Sequence, residues 1–352
     1  MARHEPDRLI AADWILSPRD LMVWQLTGVV ATDVSLASAT GLYDAEGREV
    51  PELVGPAAGK LPEVVAPDTV VGKVRPAPAR GLGIKAGIPV VIGAGDRACE
   101  VLGTGASAEL PMVAWGTTAN VSVPVPSRPH PVPSALTVTR GALDGWLIEG
   151  GLSAAGSLLT WVGDLTGTAI EELARQAMTS PPGARGVLAL PWPGGARAPW
   201  WCDAAGAGFV GLGLEHGPAD LARSVLEAVA FEVARCLDAV RGTGADPRAL
   251  TIGGSAATGP AWTEVLTGVT GLPARRRRSG EAAMAGAALL ASAALGKGFD
   301  LERLDPVATE TTPPGEVVER YAELRWKADR LVAAVLDVTA ATQGSVISRS
   351  RR

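Results

Sequence analysis

Cysteine and histidine are both scarce in this 352-residue chain, three of each. Cys99, Cys202 and Cys236 are widely spaced and form no CxxC. That excludes a disulfide framework and a zinc knuckle, and it fits a reducing compartment. His4, His130 and His216 are too few for a histidine-rich metal centre, so no metal-ligating residue is nominated. An excess of positive charge is lacking too: 32 Lys and Arg stand against 37 Asp and Glu, a formal charge of −5. A general nucleic-acid binder needs a clustered basic surplus and is not expected. The most apolar run, Ala282 to Leu295, is too short to span a bilayer and reads as a buried helix. The opening Met1-Ala-Arg-His-Glu-Pro-Asp-Arg is charged and lacks the apolar stretch of a signal peptide. A cytoplasmic protein with no membrane partner is the expectation.

What is abundant points elsewhere. Hydrophobic residues make up 47%, enough for a sizeable core. Glycine and proline supply 43 and 27 residues, which implies many tight turns. Length suggests two domains at about 150 residues each. Pro18 to Thr27 reads as a helix, with Ser17 as N-cap, Pro18 at its first position and Gly28 past its end. Thr32 to Ser38 reads as a turn or a short N-cap region, and Pro51 to Pro78 as loop with short strands. Gly87 to Gly93 reads as a buried strand. Met112 to Pro124 and Leu143 to Glu149 suggest further strands, and Ser153 to Asp164 a helix. Pro181 to Gly213 reads as one long loop rich in Gly, Pro and Trp. Pro218 to Val240 places Leu221, Val225, Val229, Val233 and Leu237 on one helical stripe. Leu250 to Ser255 reads as a strand entering a glycine turn, followed by a helix from Pro260. Val317 to Val338 forms a last helix, and 344–352 a disordered tail. Strands alternating with helices place the chain in the α/β class.

Three segments share one design, a short apolar strand, then glycines with a small polar residue, then a helix or turn. They are Val90-Val-Ile-Gly-Ala-Gly-Asp96, Val113-Ala-Trp-Gly116-Thr117-Thr118 and Thr251-Ile-Gly253-Gly254-Ser255. Glycine lets backbone N–H groups approach an anion, and a following helix adds a favourable dipole. Together the three point to nucleotide binding. By spacing alone Asp96 reads either as an N-cap or as a general base accepting a hydroxyl proton. No Walker loop, protein-kinase signature or serine-hydrolase elbow occurs. Gly206-Ala-Gly-Phe-Val-Gly211 matches GxGxxG but follows no strand. Arg275 to Arg278 reads as a solvated surface loop.

In their order these segments resemble the FGGY carbohydrate kinases, of the xylulokinase type. Ser17-Pro-Arg-Asp-Leu21, Leu26-Thr-Gly28, Thr32-Asp33, Ser35-Leu-Ala-Ser38 and Gly41-Leu-Tyr-Asp44 are similar to the later part of that family's first domain. Gly87 to Asp96 resembles the stretch carrying its catalytic aspartate, Gly116-Thr-Thr118 its second phosphate motif, and Gly253-Gly-Ser-Ala256 its adenosine motif. The resemblance runs from about residue 10 to 340. It implies an actin-like, ribonuclease-H-like fold of two domains, with 1–104 a remnant of the first and 105–343 the nucleotide-binding second. It implies ATP and Mg²⁺, with a sugar or polyol, D-xylulose by default, as acceptor. It assigns Asp96 as general base beside Arg97 on the acceptor side. Gly116, Thr117 and Thr118 would hold the β- and γ-phosphates, and Gly253, Gly254 and Ser255 the adenosine region.

The departures shape the expectation. The family's opening Asp-x-Gly-Thr loop has no counterpart, so the first domain is expected to be incomplete, with an open sheet edge. Arg97 replaces a usual amide, and Gly195-Ala-Arg-Ala-Pro199 replaces Gly-Glu-Arg-Thr-Pro. Three readings follow, a sugar kinase, a catalytically silent nucleotide-binding remnant, and the C-terminal half of a split kinase completed by a partner chain. A homodimer is a further possibility. Little activity is expected of the chain alone.

Overall fold

Alternating apolar residues in Met112-Val-Ala-Trp115 and Ala119 to Val125 send side chains to both faces of a sheet, and each face needs its own helical cover. The computed structural model describes residues 4–254 and 259–349. The first part contains α1 (Pro6–Ala11), α2 (Pro18–Thr27), β1 (Ala31–Asp33), α3 (Val34–Thr40), α4 (Pro51–Val54), β2 (Glu63–Val65), β3 (Val70–Lys73), α5 (Pro76–Leu82), β4 (Pro89–Val91) and α6 (Asp96–Thr104). The second contains β5 (Met112–Trp115), β6 (Ala119–Val125), β7 (Thr137–Arg140), β8 (Trp146–Leu152), α7 (Gly156–Thr166), α8 (Ile170–Ala177), β9 (Leu188–Leu190), β10 (Gly208–Val210) and α9 (Pro218–Arg241). It ends with β11 (Leu250–Gly253), α10 (Pro260–Thr270), β12 (Ala274–Arg277), α11 (Ala282–Ala294), α12 (Leu301–Leu304), β13 (Val307–Thr311) and α13 (Gly315–Arg349).

The sheet of the second part has seven strands in the order β13-β12-β11-β5-β6-β8-β7. β11 runs parallel to both β12 and β5, and the remaining pairs are antiparallel. Val113, Val121 and Ile148 face a core shared with α7, α9 and α10. Met112, Ala114 and Leu147 face the other way, against Ala98, Cys99 and Val101 of α6 and Leu290 of α11. By packing, α6 therefore belongs to the second sheet although β4 leads into it from the first part. The first part holds two separate two-stranded sheets, β1 parallel to β2 and β3 antiparallel to β4.

Helix ends follow their sequence cues. Ser17 Oγ accepts from the Asp20 amide at 3.1 Å, and Gly28 closes α2 with φ 82°. Of the two readings of Thr32 to Ser38, the N-cap holds: β1 hands over to α3, and the Asp33 carboxylate caps α3 through the Ser35 amide. Elsewhere tertiary packing overrode the local pattern. The 87–93 strand shrinks to β4 and is half-exposed. β9 and β10 pair inside the long 181–213 loop. Arg275 to Arg277 lie in β12, not in a surface loop. Arg277 is fixed by the carbonyls of Thr104 at 2.9 Å and Asp305 at 2.6 Å. The Ala282–Leu295 helix buries one face only, and α13 continues to Arg349, through most of the stretch expected to be a tail.

α9 is buried along nearly its whole length, charges included, because the sheet and several helices enclose it. Its charges pair internally: Arg223 with Glu227 at 2.8 Å, Tyr321 of α13 with Glu227 at 2.9 Å, and Arg235 with Glu232 at 2.9 Å. Among the described residues no helix is long and apolar enough to cross a membrane.

Candidate active site

Parallel pairing of β5 with β11 sets Gly253 opposite Ala114, so both strands end at one edge and their following turns lie side by side. Gly254 has φ +90°, and a Cβ there would stand 2.1 Å from the Trp115 carbonyl oxygen. Only glycine allows the two backbones to meet so closely. The Gly116–Thr118 turn docks in the same way on the start of α7. The Gly116 carbonyl accepts from the Gly156 amide at 3.0 Å, and the Thr117 carbonyl accepts from Ala155 at 3.0 Å and Ser157 at 3.1 Å. Thr117 and Thr118 remain exposed beyond this backbone anchor.

Beside these turns lies a cavity of about 590 Å³ between α7, α8 and α10, lined by Gly156, Leu159, Ile170, Ala174, Pro260 and Trp262 among others. The size and apolar walls suit a flat heterocycle of a small-molecule ligand. Trp262 packs on Trp115 with ring centroids 4.8 Å apart, tying that wall to the end of β5. A cavity of about 570 Å³ between Met178–Pro182 and Thr311–Pro314 touches none of the glycine turns. Ser255 lies outside the described residues.

Asp96 occupies the first position of α6, with Gly95 as N-cap. The N-cap reading thus passes to Gly95, and the Asp96 carboxylate is exposed, its Oδ1 accepting from the Arg97 amide at 2.7 Å. Arg97 pairs with Glu100 and stands 3.9 Å from Glu149 of β8. Glu149 also accepts from Thr139 Oγ1 at 2.7 Å. Burial raises the carboxyls of both Glu100 and Glu149 above the usual range, against the pull of Arg97. Register links this group to the turns. Glu149 faces Ser122 on β6, and β6 begins one residue past Thr118. At the usual rise, Ser122 stands about 13 Å along the chain from Thr118.

Glu149 and Arg197 escaped the sequence reading as site residues. Arg197 sits on the loop whose Ala198 amide bonds the Gly151 carbonyl at 3.2 Å, and Gly151 faces Asn120 in register. A Cβ on Gly151 would stand 4.0 Å from the exposed Arg197 guanidinium, so this cation overhangs the same sheet end. The Gly195-Ala-Arg-Ala-Pro199 segment was the signal. Its departure from the family pattern concealed that the arginine itself is kept.

Among the described residues no group of three or more His, Cys, Asp or Glu side chains is arranged to hold a metal ion.

Descriptions of the C-terminal and N-terminal domains of the FGGY family of carbohydrate kinases match residues 111–295 and 1–103. The match to 1–103 does not support a missing N-terminal segment or an incomplete first domain, and a silent remnant is not favoured. The xylulose kinase of Escherichia coli K12 is 32% identical over 303 residues, 83% of this chain and 62% of that protein. The xylulose kinase of Klebsiella pneumoniae is 32% identical over 338 residues, 92% of this chain and 69% of that protein. The chain thus spans 62 and 69% of these relatives' length. In fold it matches the ligand-bound xylulose kinase of Lactobacillus acidophilus with a TM-score of 0.86 at 21% identity, over 95% of this chain and 70% of that one.

Proposed function

The chain belongs to the FGGY family of carbohydrate kinases, and from that premise we propose that it transfers the γ-phosphoryl group of ATP to a hydroxyl of a neutral sugar, D-xylulose first among the candidates. The observation that carries this reading is the side-by-side seating of the Gly116–Thr118 and Gly254 turns beside one apolar cavity, with the exposed Asp96 carboxylate opening the helix α6 that packs on the same sheet.

In this reading the nucleoside enters the cavity against Trp262, and Gly253 and Gly254 line the adenosine and α-phosphate region. The Gly116 amide and the hydroxyls of Thr117 and Thr118 hold the β- and γ-phosphates. Asp96 takes the proton from the attacking hydroxyl, and Arg97 borders the acceptor. Such transfer rests on positioning and charge neutralisation more than on covalent chemistry. Bound together with the nucleotide, Mg²⁺ would supply charge neutralisation. The substrate preference follows from charge. Asp96, Glu100 and Glu149 set three carboxyl groups against the one guanidinium of Arg97, a surrounding that disfavours an anionic acceptor.

Release of ADP from ATP and Mg²⁺ tests the proposal, with D-xylulose, other pentuloses and glycerol compared against a sugar acid. Sugar-dependent turnover of about 1–100 s⁻¹ with a neutral acceptor, and less with the acid, is expected. ATP that raises the melting temperature without any sugar-dependent ADP release would overturn it.

A further inference from the structure

The turn that carries Asp96 is held at both ends by side chains of the first part, the half-buried Arg19 and the buried Ser35, and neither hydrogen-bonds the Asp96 carboxylate. Arg19 Nη1 donates to the carbonyls of Ile92 at 2.8 Å and Gly93 at 3.1 Å. Arg19 Nη2 donates to Asp33 Oδ1 at 2.7 Å and Thr32 Oγ1 at 3.2 Å. The other oxygen of Asp33, Oδ2, accepts from the Ser35 amide at 2.7 Å and from Ser35 Oγ at 2.5 Å. Ser35 Oγ in turn accepts from the Gly95 amide at 2.8 Å. Asp33 is fully buried and Ser35 nearly so. The chain of bonds leaves no rotational choice. Ser35 spends its proton on the carboxylate, so its lone pairs face the Gly95 N–H.

A cap that only started α3 would need the Asp33 carboxylate and the Ser35 amide alone. Here the network reaches some sixty residues along the chain, to the N-cap of α6, and seizes the backbone of 92–95 from two directions. Ser38, one turn further along α3, accepts from the Arg140 amide at 2.9 Å and fixes the same helix to β7. α3 thus registers the Asp96 turn against the sheet that carries the phosphate turns.

We infer that Ser35, oriented by Asp33 and Arg19, is a positioning residue for phosphoryl transfer: its hydroxyl fixes the Gly95 N–H and thereby the direction in which α6 presents Asp96. The inference rests on the kinase reading. A carboxylate turned away from the acceptor hydroxyl by about an ångström loses much of its effect on the chemical step and none on nucleotide binding.

Ser35→Ala and Ser35→Thr in the full chain test it. Ser35→Ala is expected to lower kcat by about ten- to a hundredfold with KM for ATP little changed, and to lower the melting temperature by only a few degrees, for the lost bonds to Asp33 and Gly95. Ser35→Thr, which keeps the hydroxyl, is expected to restore most of the turnover. Amide exchange followed by mass spectrometry should quicken at least tenfold in the peptide containing Gly95, and stay unchanged in the β5 peptide. Equal kcat in wild type and Ser35→Ala overturns the positioning role alone, as does a loss that Ser35→Thr fails to recover. A wild-type chain without sugar-dependent ADP release overturns the kinase reading, and the positioning role falls with it.

Discussion

Replacing Asp96 by Asn changes basicity and almost nothing else. The amide oxygen can still accept from the Arg97 amide, and the side chain is exposed, so folding is indifferent to the change. Loss of a general base costs about 10²–10⁴-fold in rate. Asp96→Asn is therefore expected to cut kcat by that factor while leaving the ATP-induced rise in melting temperature intact. Turnover within threefold of wild type in the ADP assay would remove Asp96 from the chemistry. At this scale glycine spacing made the local geometry legible: Gly116 and Gly254 follow the ends of two paired strands, and Asp96 opens the helix after Gly95. It was uninformative about Glu149 and Arg197, whose relevance arises from strand register and loop docking between residues far apart in the chain.

α9 shows what an element conceals. Its apolar stripe was legible, and so were its start at Pro218 and its stop near Gly242. The burial of Arg223, Glu227, Glu232 and Arg235 was not, because the helices enclosing them belong to distant segments. Glu232 accepts from Trp200 Nε1 at 2.8 Å and from Arg235, yet burial outweighs both and pushes its carboxyl up to about 7. A carboxyl that holds its proton more firmly folded than unfolded favours folding below its ordinary value. That contribution disappears as pH climbs through about 7, and it is on the order of 3 kcal/mol. The melting temperature should therefore fall between pH 5 and pH 8, and Glu232→Gln should flatten the fall. A variant profile parallel to wild type would show that Glu232 titrates normally. The tetra-arginine run misled for a related reason: a strand paired on both sides tolerates long cationic side chains when backbone carbonyls receive them, as Arg277 shows.

At the scale of the molecule, α6, the helix through which the chain passes from the first part to the second sheet, crosses α11. A Cβ on Gly103 would stand 1.9 Å from the Ala282 carbonyl oxygen, and one on Gly286 2.0 Å from that of Cys99. Neither neighbour is a movable side chain, so even Gly286→Ala must push the helices apart. The expected cost is about 3 kcal/mol or more, read as a lowered denaturation midpoint, with kinase activity falling further because α6 carries Asp96. A variant as stable as wild type would mean the crossing is looser than drawn. The two-domain α/β architecture was legible from the alternation of elements and from three glycine turns. The assignment of α6 to the second sheet was not, since its chain neighbours belong to the first part and only packing decides.

The helix crossing also bears on heredity. Every missense change reachable from a glycine codon by one base adds at least a methyl group. At positions 103 and 286 no single mutational step is therefore sterically neutral, and in a saturation library both sites should be among the most depleted.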